Sequence, residues 1–183
     1  MFIQTESTPN PATMKFLPGR EVMGGKVMDF ADSASAAISP LAARLFEIEA
    51  VSRVFFGADF ISVTKREGEW QHLKPAILGA IMEHFTRGLP LIAKTPAQGE
   101  APAAPDTALA AQIRELIDTR IRPAVAGDGG DIVFKGFDEA SGTVFLHLQG
   151  ACAGCPSSQA TLKHGIENML RHYVPEVVSI EAV

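Results

Sequence analysis

Cys152 and Cys155, in the stretch ACAGCPSS at 151–158, are the only two cysteines of a 183-residue chain. Thiols three apart in a reducing compartment point to metal or redox chemistry before a structural disulfide. Pro156 suits the first position of a helix, where its missing N–H would have had no partner, and this makes Cys155 the expected N-cap. The unpaired N–H groups and the positive end of the helix dipole then favour thiolate over thiol and supply hydrogen-bond donors to metal-bound sulfur. Gly154 and the small Ala151 and Ala153 let the backbone curl until both sulfurs point the same way, with nothing bulky over them.

Four chemistries compete for such a pair. Inert surface thiols are disfavoured by a dipole-activated CxxC. A thioredoxin-like exchanger needs the motif between a strand and a helix of a βαβ unit; a strand precedes and a helix follows, but that strand belongs to a hairpin. Zinc needs four N or S ligands, and only His72, His84, His147, His164 and His172 are available to complete the set. His164 and His172 lie too far along the following helix to reach back, so the histidines read as solvated or partly packed. An iron–sulfur cluster prefers four thiolates, of which one chain supplies half. Two chains meeting at a twofold axis through the CxxC loops would supply the rest, placing a 4Fe–4S cluster at an exposed and easily surrendered interface. Four thiolates suit a 2Fe–2S cluster as well.

The elements that must position this pair fall in two regions. Residues 94–106, KTPAQGEAPAAPD, hold no large apolar side chain and alternate Pro with Ala, the composition of an extended, semi-rigid linker. The fold class is therefore α+β: two small mixed α/β domains, 1–93 and 107–183, joined by that linker. In the first, FIQTES and MKFLP read as strands around a turn forced by TPNPAT. Ser35 and Ser39 are capping candidates for a short helix, Val51–Phe56 and Phe60–Thr64 form a hairpin, and a long helix from Trp70 stops at Gly88. Phe55, Phe56 and Phe60 read as core. The second domain reads helix, strand, strand, helix, strand. Its first helix carries Leu109, Ile113, Leu116, Ile117 and Ile121 and ends at Pro123. AGDGGD follows as a turn in which Gly127, Gly129 and Gly130 can take positive φ, and Asp128 or Asp131 could cap or orient the neighbouring cysteine loop. The second helix presents Leu162, Ile166, Met169, Leu170 and Tyr173 as one stripe.

A net charge of −5 with no Lys/Arg run removes the footprint of a nucleic-acid binder. No run approaches the roughly 18 apolar residues of a membrane span, and MFIQTESTPNP lacks the plan of a signal peptide. The chain reads as cytoplasmic in a bacterium, or as a mitochondrial matrix protein if a presequence has been removed. There is no paired acid/base constellation, nucleophile elbow, P-loop or dinucleotide fingerprint, so an enzyme is not expected.

DGGDI at 128–132, GACAGCPSS at 150–158, TLKHGIE at 161–167 and PEV at 175–177 together resemble the C-terminal NifU-like domain of Nfu-type iron–sulfur scaffold and carrier proteins. TESTPNPATMKFLPG at 5–19 is similar to the N-terminal domain that accompanies it in the mitochondrial and alphaproteobacterial type. The resemblance implies that Cys152 and Cys155 bind a labile 4Fe–4S cluster across a homodimer. It further implies that the cluster comes from assembly proteins and passes to apo-enzymes such as aconitase and the lipoate-synthesising enzyme. The cysteine-free N-terminal domain cannot donate thiolates. Its STPNPAT segment is either a client-recognition loop or a pair of prolines shaping a turn, and the structural reading is favoured.

Overall fold

The computed structural model describes residues 1–93, 107–153 and 156–183, with only the backbone of 156–158. The expected linker at 94–106, Gly154 and Cys155 lie outside the described residues. The chain divides into two compact units, the division falling between Gln98 and Gly99.

In the N-terminal unit the chain runs β1 (Gln4–Ser7), β2 (Thr13–Leu17), β3 (Met28–Phe30), a 3-10 turn (Ser35–Ile38), α1 (Pro40–Phe46), β4 (Val51–Phe56), β5 (Ile61–Lys65) and α2 (Trp70–Arg87). The five strands form one antiparallel sheet in the order β1-β2-β5-β4-β3. Alternation along the strands puts Met14, Phe16, Val54, Phe56, Ile61 and Val63 on one face, where they pack with Leu41 and Leu45 of α1 and Ile77 and Ile81 of α2. Ser39 caps α1 by accepting the Ala42 N–H at 3.2 Å, and Gly88 ends α2 in the left-handed conformation at φ 63°, both as the sequence predicts. Ser35 instead exchanges hydrogen bonds with Asp32 around the 3-10 turn.

All three expected core phenylalanines are buried, but Phe55 lies on the opposite face from Phe56. Its ring meets that of Phe60 at 5.9 Å, and the Lys15 ammonium lies 4.6 Å from the Phe60 ring centroid. Across the same face Arg53 forks onto Asp29, its Nε donating to Oδ1 at 2.9 Å. The STPNPAT turn is wired internally. Thr8 Oγ1 donates to the Asn10 and Thr13 carbonyls, Asn10 Oδ1 accepts the Ala12 N–H, and Trp70 Nε1 donates to the Pro11 carbonyl.

The C-terminal unit runs α3 (Ala108–Leu116), a π-turn (Ile117–Ile121), α4 (Arg122–Gly127), β6 (Gly130–Asp138), β7 (Thr143–Gly150), α5 (Pro156–Tyr173) and β8 (Ser179–Ala182). The helical path continues past Pro123 instead of ending there. A proline inside a helix lacks one donor and crowds the carbonyl four residues back. The wider π-turn just before it relieves that conflict, and Pro123 then occupies the first turn of α4, where no donor is needed.

Strands β6 and β7 pair antiparallel, and β8 joins β7 in parallel, giving the order β6-β7-β8. Ile132, Val144, Leu146 and Ile180 form the core face of this sheet, covered by Ile113, Ile117 and Ile121 and by Ile166 and Leu170 of α5. Met169 and Tyr173, expected on the α5 stripe, are exposed; the stripe narrows to Leu162, Ile166 and Leu170. Tyr173 instead stacks under the Arg120 guanidinium at 5.1 Å.

Candidate metal centre

The cysteine loop connects β7 to α5, and α5 begins at Pro156 as the sequence predicts. Because β7 and β8 are parallel, β7-α5-β8 is a βαβ crossover. Cys152 sits just beyond Gly150, whose φ of 61° reverses the chain out of β7. The Ala151 N–H donates to the Gly129 carbonyl at 3.2 Å and the Ala153 N–H to the Gly150 carbonyl at 3.1 Å. The cysteine loop is thus stitched to the turn that precedes β6.

That turn is the DGGD segment. Of its three expected positive-φ glycines only Gly129 takes one, at 82°. Gly130 serves a different purpose. A Cβ there would lie 2.5 Å from Cys152 Sγ and 2.7 Å from the Gln149 carbonyl oxygen, distances that no side chain tolerates. Gly130 pairs across the strands with Gly150, and the thiol is seated against Gly130.

Asp131 anchors the turn from below. It is buried, and Arg122 grips it bidentately, Nε to Oδ1 and Nη2 to Oδ2, both at 2.8 Å. A third bond runs from Arg122 Nη1 to Asp118 at 3.3 Å. The hydrogen bonds it donates to Asp131 hold the Arg122 guanidinium above its usual pKa against the opposing effect of burial. Sequence reasoning left Arg122 out of the site. It stands nine residues from its partner, in a helix expected to end one residue later.

Cys152 departs from the expectation of an open, activated thiolate. Its side chain is only 5% exposed and packs into the hydrophobic core of the unit. Burial, and secondarily the carboxylates of Asp128 and Asp131, push its thiol up to about 12. At neutral pH the apo chain therefore holds Cys152 as a buried neutral thiol. Cys155 lies outside the described residues. Among those that are described, no group of three or more His, Cys, Asp or Glu side chains is placed to hold a metal ion. His72, His164 and His172 are exposed, His147 Nδ1 lies 2.6 Å from the Val183 carbonyl oxygen, and His84 is buried in the other unit.

Two small α/β units, one of them carrying a CxxC pair on a strand-to-helix loop, define a two-domain dithiol protein. Comparison with known proteins specifies the class. Residues 3–88 match the family described as scaffold protein Nfu/NifU N terminal, and residues 113–181 match the NifU-like domain. The chain is 53% identical to the human NFU1 iron-sulfur cluster scaffold homolog, mitochondrial, over 100% of this chain and 72% of that one. It is 52% identical to NifU-like protein 4, mitochondrial, of Arabidopsis thaliana, covering 99% of this chain and 65% of the relative. A solution structure of a NifU-like protein from Saccharomyces cerevisiae is 26% identical, with a TM-score of 0.47, over 51% of this chain and 86% of that one. The chain belongs to the Nfu family of iron–sulfur cluster scaffold proteins, which are not enzymes. Among the described residues no helix is long and apolar enough to cross a membrane.

Proposed function

We propose that this protein is a non-catalytic carrier that holds a labile 4Fe–4S cluster between two chains and delivers it to apo-enzymes. The observation that carries the reading is the thiol count. A NifU-like domain whose chain contains just Cys152 and Cys155 supplies half of a four-thiolate set, and a twofold axis supplies the rest. In this reading residues 107–183 bind the cluster, 94–106 are the linker, and 1–93 dock assembly proteins or client enzymes. Transfer proceeds by ligand exchange: a recipient thiolate displaces Cys152 or Cys155 at iron, one bond at a time, with no redox change. Docking raises the local concentration of incoming thiolate. The relatives named mitochondrial favour a mitochondrial compartment.

A dithiol exchanger is the competing reading, and the βαβ placement of the CxxC favours it. The match of residues 113–181 to the NifU-like domain and the likeness to named iron-sulfur cluster scaffold relatives weigh against it. The test is anaerobic reconstitution of Cys152→Ala and Cys155→Ala. Each loses the visible cluster absorption while keeping its secondary structure. Since Cys152 belongs to the core, its truncation also costs about 1 kcal/mol of stability. Full iron retention by either variant contradicts the two-per-chain site.

A further inference from the structure

A sulfur that bonds a metal shared with a second chain must stand at the protein surface. Cys152 does not. Its side chain is 5% exposed and packs in the core cluster with Ile113, Ile132, Leu146 and Ile166. The seat is tailored: Gly130 leaves out the Cβ that would collide with Sγ, and Gly150, at φ 61°, turns the chain just before the loop. One backbone hydrogen bond, from the Ala151 N–H to the Gly129 carbonyl, holds the loop against the DGGD turn, and a second, from the Ala153 N–H to the Gly150 carbonyl, ties it to the end of β7.

The geometry points to a sheathed state of the apo chain, in which the loop tucks Cys152 under the DGGD turn and must swing it outward, breaking the Ala151–Gly129 bond, before the sulfur can ligate a shared cluster. This deepens the carrier reading and rests on it. Loading requires the open loop; once a client has taken the cluster, the loop closes and Cys152 returns to the core. Closure competes with rebinding, so the same seat biases the carrier toward donation. It also shields the emptied thiol from oxidants, whose attack follows exposure and thiolate character.

The test reads the apo chain alone. In Cys155→Ala, Cys152 is the sole thiol, and its alkylation is followed with iodoacetamide and with a bulky maleimide, in native buffer and in denaturant. Sheathing predicts native rates on the order of 100-fold below the unfolded rates, with the same protection against both reagents because both wait for one opening. Adding Gly130→Ala, whose Cβ takes the space of Sγ, restores at least about tenfold of the reactivity while circular dichroism keeps the fold. If that variant fails to fold, the protection of the single variant still decides. Native reactivity within about threefold of the unfolded rate overturns the sheath, as does protection that grows with reagent size. The two readings fail separately. A protected thiol in a chain that takes up no iron sinks the carrier and leaves the sheath; a freely reactive thiol in a chain that loads a cluster does the reverse.

Discussion

Truncating Arg122 to Ala tests the claim that the DGGD turn is anchored from below. Asp131 has a side chain 5% exposed, and the two 2.8 Å bonds from Arg122 satisfy both of its oxygens. Charge-assisted bonds of this kind contribute about 1.5 to 3 kcal/mol each when intact, and breaking a fully buried pair costs about 3 to 5 kcal/mol. Arg122 is itself 37% exposed, so water reaches part of the space it vacates and the cost falls to about 2 kcal/mol. For a domain of this size that corresponds to a fall in Tm of roughly 8 to 16 °C. Hydrogen exchange of the β6–β7 amides follows the C-terminal unit, while the fluorescence of Trp70, the single tryptophan, reports the N-terminal unit as an internal control. Arg122→Lys keeps the charge but loses the planar fork, and falls between wild type and Ala. A loss below about 0.5 kcal/mol for Arg122→Ala, or an equal shift at Trp70, refutes the anchor.

Other outcomes follow from the titrating groups and the turn. Cys152 ionises near its usual 9.0 when unfolded and is pushed up to about 12 when folded, so the unfolded chain binds fewer protons between those values. Stability of the C-terminal unit therefore falls as pH rises from 9 toward 12, and Cys152→Ala flattens that slope in denaturant titrations. His84 shows the opposite sense. Burial holds its pKa below the usual 6.5 despite a hydrogen bond to the Leu89 backbone, so the unfolded chain takes up more protons on acidification. The N-terminal unit loses stability as pH drops below about 6.5, and His84→Gln removes that dependence in Trp70-monitored melts. Asn10→Ala strips the Oδ1 acceptor from the Ala12 N–H and lowers N-terminal stability by about 1 kcal/mol in the same assay, with no change in cluster uptake.

Periodicity was enough to read α2, α5 and the β4–β5 and β6–β7 hairpins, because each buries one face of a long, regular segment. β3 escaped because Met28–Phe30 is too short for alternation to show, and it is defined by pairing with β4. The helix beyond Pro123 escaped because a π-turn leaves no mark in the hydrophobic pattern. At the site, residue types identified Cys152 and Cys155 as the chemistry, but spacing carries no information on which way a thiol faces. Only the packed structure shows Cys152 turned inward, and only it separates Gly129, needed for its φ, from Gly130, needed for lack of a side chain. Arg122 and Asp131 meet because α4 folds back on β6, a tertiary fact that no local pattern encodes.

The central claim is a four-thiolate cluster shared by two chains. Anaerobic reconstitution with iron and sulfide, followed by size exclusion with both assayed across the peak, tests it most directly. The account predicts brown protein eluting as a dimer, with about four irons and four sulfides per two chains. Colourless monomer with a freely titratable dithiol would contradict it and return Cys152 and Cys155 to redox exchange.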